Sequence, residues 1–107
     1  MDPEVKKAWV EALRSGEYEQ TDGGLCYDGK YCCLGVLCEI DERVTPIRYS
    51  TKDVAYEIGD GPFELGVLPR EFRDLIGITP QQESIVIKMN DGGTGFPEIA
   101  DYIEANL

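Results

Sequence analysis

The chain contains no histidine among its 107 residues. That removes the commonest general base, the base of the usual nucleophilic triads and the commonest metal ligand, so a non-enzymatic role is expected. Cations are scarce: 10 Lys and Arg stand against 21 Asp and Glu, a net charge of −11. Nucleic-acid backbones are gripped by clustered Lys and Arg, so no direct nucleic-acid binding is expected. No apolar run approaches the ~18 residues that a membrane span requires, and no membrane association is expected. The acidic start, Met1-Asp2-Pro3-Glu4, leads into an amphipathic pattern and not into a signal peptide. Those features point to a cytoplasmic protein with reduced cysteines. The cysteines lack the paired Cys-x2-Cys knuckles of structural zinc sites, since Cys26, Cys32, Cys33 and Cys38 are spaced Cys-x5-Cys-Cys-x4-Cys. Neither a metal nor a cofactor is expected.

What is present is organised around residues 31–40, Tyr-Cys-Cys-Leu-Gly-Val-Leu-Cys-Glu-Ile, the one long apolar run. It is apolar on every side, the mark of an element buried all round. A central helix is expected, with a buried central strand as the alternative. Gly35 would cost roughly 1 kcal/mol in a helix, which predicts that another backbone comes close to it. At 107 residues the chain suits one domain, 1–107.

Along the chain, Asp2-Pro3 reads as a helix cap and first helical position. Val5, Ala8, Trp9, Ala12 and Leu13 follow at helical spacing, and Gly16 closes that helix. Trp9 is the one tryptophan and a core anchor. Asp28-Gly29 marks a hairpin, read as a short frayed ribbon. Residues 47–49 and 54–58 look like strands, and Phe63-Glu64-Leu65 looks like a returning partner, giving a two- or three-stranded antiparallel sheet. Pro69 starts a short helix that Gly77 ends. Thr79-Pro80-Gln81-Gln82 carries a capping box ahead of a further helix. The last helix spans about residues 97–106, with Phe96, Ile99, Ala100, Ile103 and Leu107 as its apolar stripe. The fold class is α+β: four or five short helices around the central Cys-rich helix, with a small antiparallel sheet.

Several side chains are candidates for function. Cys32 or Cys33 at a helix N-terminus would have a lowered pKa, but a cysteine hydrolase also needs a base. Buried thiols acting as small hydrophobes are the expected reading. Tyr18, Tyr27, Tyr49, Tyr56 and Phe63 outnumber what the core needs. Tyr49, Tyr56, Glu57, Asp60, Phe63 and Glu64 are the expected protein-binding face, aromatic residues beside acids on a β-ribbon. The competing reading is a small-ligand site for a nucleotide-like signal, built from Arg48, Arg70, Arg73, Asn90 and Asp91. Asn90 and Asp91 are also ordinary turn and helix-end residues. Asp91, Glu98 and Asp101 lack calcium-loop spacing.

Two long motifs, Tyr31-Cys32-Cys33-Leu34-Gly35-Val36-Leu37-Cys38 and Met89-Asn90-Asp91-Gly92 with Phe96-Pro97-Glu98-Ile99-Ala100-Asp101-Tyr102-Ile103-Glu104, resemble those of small bacteriophage- and prophage-encoded proteins. The likeness begins at Trp9 and leaves residues 42–66 uncovered. It implies an infected bacterial cytoplasm and no particular activity. The expected function is an acidic phage accessory protein that binds a host protein during infection, in host takeover or against host defence.

Overall fold

The computed structural model describes residues 1–59 and 66–107. Among them are five helices and one four-stranded antiparallel sheet. Helix α1 (Pro3–Arg14) begins where Asp2 accepts hydrogen bonds from the backbone N–H groups of Glu4 and Val5. Its inner face carries Trp9, Val10 and Leu13. Ala8 of the expected stripe points outward instead, because Trp9 and Leu13 turn the stripe toward Val10.

Strands β1 (Cys26–Tyr27) and β2 (Lys30–Tyr31) form the hairpin expected at Asp28-Gly29. Both turn residues have positive φ, 52° and 77°, as a two-residue type I′ loop requires. Helix α2 (Cys33–Ile40) follows, so the central run is a helix. Six of its residues, Cys33 to Cys38, are buried. Trp9 donates its indole N–H to the Cys33 carbonyl at 2.8 Å, fastening α1 to the first turn of α2. Full burial of each large apolar side chain here contributes about 1.5–3 kcal/mol.

Strands β3 (Val44–Arg48) and β4 (Asp53–Ile58) pair along their length. Cys26 faces both Tyr31 and Val54, so the two hairpins fuse into one sheet, ordered β2-β1-β4-β3. The expected sheet of two or three strands, with a separate frayed ribbon, is therefore corrected to a single sheet of four. Pro46 is tolerated because β3 is an edge strand. The strand expected at Phe63-Glu64-Leu65 lies outside the described residues.

Helix α3 (Arg70–Ile76) ends at Gly77, φ 79°, with Ile78 donating its N–H back to the Arg73 carbonyl. Helix α4 (Pro80–Asp91) starts with the full Thr79–Gln82 capping box. Helix α5 (Phe96–Asn106) lays Phe96, Ile99, Ala100 and Ile103 into the core against α1. Arg14 on α1 joins Asp101 and Glu104 on α5 at 2.6 and 3.0 Å, an exposed link of small energetic weight.

Candidate functional site

Two regions gather the side chains singled out by sequence. The first is the start of α2. Cys32, its N-cap, makes no side-chain cap. The missing acceptor comes from a distant residue. Asn90 is 3% exposed, and its Oδ1 accepts from the Cys33 N–H at 3.2 Å and from Gln20 Nε2 at 2.9 Å. Its Nδ2 donates to the Thr21 carbonyl at 2.8 Å. Asn90 thus caps α2 from its place in the last turn of α4, and it ties α4 to α2 and to the segment at Gln20 and Thr21, where Gln20 bridges to Tyr31. Asp91 accepts from the Gly23 N–H at 3.3 Å. Gln20 completes the knot, donating to the Thr94 carbonyl and accepting from the Phe96 N–H. Two hollows flank Asn90. One, about 390 Å³, is lined by Gln20, Thr21, Asp22 and Gly93. The other, about 160 Å³, is lined by Gly23, Gly24, Cys32, Gly66, Ile87 and Asp91.

The thiols here are poorly disposed to ionise. Burial pushes Cys32 up to about 11, outweighing the hydrogen bonds from the Gly35 and Leu34 backbone that favour its thiolate. Cys33 and Cys38 are raised well above the ordinary value, again by burial. The lowering expected at a helix N-terminus is therefore reversed, because desolvation of a thiolate exceeds the helix-end field. All four cysteines are free and buried. Among the described residues, no group of three or more His, Cys, Asp or Glu is arranged to hold a metal ion.

The second region is the turn end of the sheet. Tyr27 is 41% exposed and Tyr49 43%. They meet at Asp53: Tyr27 is its cross-strand partner, and Tyr49 donates its N–H to the Asp53 carbonyl at 3.3 Å. Asp28 donates its N–H to the Lys52 carbonyl, holding the two hairpin turns side by side. The Lys52 ammonium sits 5.9 Å from the Tyr27 ring centre. Beside them opens a cleft of about 290 Å³ between the sheet and α2, lined by Tyr31, Glu39, Arg48, Lys52 and Tyr56 among others.

The expected binding face is only partly assembled. Tyr49 is exposed as expected, and Glu57 is half-buried. Tyr56 is 1% exposed, so its place on an open aromatic face is corrected. Its side chain packs inward with the core, and its hydroxyl donates to Glu39 Oε2 at 3.2 Å. Tyr18 is also half-buried, its ring edge-on to Tyr31 at 5.4 Å. Asp60, Phe63 and Glu64 lie outside the described residues. Tyr27 is legible in the sequence as one of the surplus aromatics and as a hairpin residue, but it is absent from the expected binding face because the pairing that brings it to Asp53 is long-range.

The expected arginine set does not converge. Arg48 lines the sheet cleft and Arg70 is exposed at the start of α3. Arg73 is held by Glu83 at 2.9 Å, in a pair whose side chains are only 16% and 6% exposed. Glu83 also accepts from the Leu68 N–H at 3.0 Å. Asn90 and Asp91 lie apart from all three, at the start of α2. The sequence motifs carried no signal for the Arg73–Glu83 pair beyond its opposite charges.

No helix among the described residues is long and apolar enough to cross a membrane. No curated protein matches the chain, and no solved structure matches it. A family model matches residues 1–107, and by it the chain belongs to the family described as a domain of unknown function, DUF8296.

Proposed function

We propose that the protein acts by binding another protein, through the turn end of its sheet. The observation that carries this reading is the juxtaposition of Tyr27 and Tyr49 around Asp53, two exposed tyrosines on adjoining hairpins. Tyrosine offers a large, stiff contact area with a polar tip, and such residues dominate interface energetics. The partner presents a basic surface, because a chain of net charge −11 attracts cations and repels acidic surfaces during encounter. The resemblance to phage-encoded proteins makes a bacterial host protein the partner during infection, in host takeover or against host defence. The chemistry rests on recognition and not on catalysis: there is no histidine, and burial holds Cys32, Cys33 and Cys38 protonated.

The test is capture of host proteins by the wild type and by a Tyr27→Ala/Tyr49→Ala double variant, with circular dichroism to verify the fold. A protein retained by the wild type and lost from the folded double variant supports the reading. Equal retention by both refutes it.

A further inference from the structure

The cleft beside the tyrosine pair has a chemistry of its own. Glu39 sits on α2 at its wall and takes part in no ion pair among the described residues. Among the described residues its carboxylate takes one hydrogen bond, from the Tyr56 hydroxyl, which fixes one oxygen and leaves acceptor positions open. Tyr31 lines the same cleft, steadied by the perpendicular ring of Tyr18 at 5.4 Å and 89°. The half-buried ring of Tyr31 and the exposed carboxylate of Glu39 together attract a cation, through the ring quadrupole and Coulomb attraction.

The field of Glu39 is felt throughout this corner. Burial first, and then its charge, raises the phenols of Tyr18 and Tyr31, the latter to about 12, and also the phenol of Tyr56. The Cys26 thiol is raised by burial, with Glu39 adding to the shift. The cleft's own cations do not neutralise that carboxylate. Lys52 directs its ammonium to the Tyr27 ring, and Arg48 lines the cleft without pairing to Glu39.

We propose that this cleft holds the cationic head of an arginine or lysine side chain from the protein partner, seated on Glu39, whose carboxylate the Tyr56 hydroxyl orients, and walled by Tyr31. This rests on the protein-binding reading above and names the anchor that the partner supplies. Tyr18 acts as a positioning residue, through Tyr31.

The probe is acetyl-arginine amide, titrated into isotope-labelled protein by NMR, with the uncharged acetyl-citrulline amide as control. Saturable shifts centred on Tyr31, Glu39 and Tyr56 are expected with the arginine probe and not with the citrulline one. Glu39→Gln keeps an acceptor for Tyr56 and removes the charge, and it weakens the probe about three- to tenfold. Arg48→Ala removes a like charge from the cleft and strengthens it. Absence of saturable shifts, equal response to citrulline, or weakening by Arg48→Ala overturns the inference. The two readings fail separately. If the Tyr27/Tyr49 variant loses the host protein while the arginine probe stays silent, the cation site falls and protein binding stands.

Discussion

Gly35→Ala is the sharpest probe of how the core is assembled, because two physical effects predict opposite signs for it. Gly35 lies inside α2, where alanine is favoured by about 1 kcal/mol over glycine on helix propensity. An ideal Cβ at this position, however, meets the Leu25 carbonyl oxygen at 1.7 Å and its carbon at 2.7 Å. Real Cβ atoms essentially never approach closer than 3.0 Å, so the helix and the residue before β1 must part by roughly 1 Å or more. Both sides of the contact are backbone, so no rotamer change relieves it. The same Leu25 oxygen accepts the Cys32 N–H at 3.2 Å, a bond at the start of α2 that the separation strains or breaks. Overpacking costs about 1–3 kcal/mol or more, and the lost hydrogen bond about 1 kcal/mol. The clash therefore outweighs propensity, and a net destabilisation of roughly 2–4 kcal/mol is expected, a large share of the ~5–15 kcal/mol of a typical domain. Urea denaturation followed by circular dichroism measures it, with the midpoint falling by about 1 M or more at an ordinary slope. A variant as stable as the wild type, or more stable, refutes the close approach and the packing of α2 on the Leu25 backbone.

Further outcomes follow from the same structure. Asn90→Ala leaves the Cys33 N–H without its cap and the Gln20 amide short of an acceptor, and is expected to cost about 2–4 kcal/mol in a denaturation experiment. Glu83→Ala strands the Arg73 guanidinium and the Leu68 N–H in a largely buried setting, and is expected to cost about 3–5 kcal/mol. Cys32 ionises near 9.0 when unfolded and at about 11 when folded, so the unfolded state releases its proton first. The contribution of Cys32 to stability is then fully present below pH 9 and is lost as pH rises through about 11, and native thiol labelling of Cys32 stays slow across neutral pH. Fast labelling at neutral pH, or stability that rises with alkali, contradicts the burial argument. Association with the proposed basic partner is expected to slow as salt is raised past 0.1 M, where the screening length is ~10 Å, and a rate independent of salt contradicts electrostatic steering.

The legible parts of this fold were those whose causes lie close together in sequence. Asp2-Pro3, Thr79 with Gln82, Gly77 and Asp28-Gly29 each act within a few residues, and each set the element end expected of it. The central run was legible as a buried helix, because six consecutive residues are apolar or small and Gly35 marks the contact with Leu25. What escaped was long-range. Cys26 pairs with Val54, and no local pattern announces that two hairpins share a sheet. Tyr56 was read as exposed because a tyrosine in a strand fits either face, and the burial pattern of β4 does not alternate. Asn90 looked like a turn residue, while its partners Gln20, Thr21 and Cys33 lie 70, 69 and 57 residues away. Arg73 reads from sequence as a ligand cation, but Glu83, one helix later, holds it.

The central claim is recognition of a protein through Tyr27 and Tyr49. Its most direct measurement is the affinity of the purified host partner for the wild type and for Tyr27→Ala/Tyr49→Ala, by titration calorimetry on proteins of verified fold. Loss of two interface tyrosines is expected to weaken binding by about 2–4 kcal/mol, roughly 30- to 1,000-fold. An affinity unchanged by the double substitution would contradict the claim.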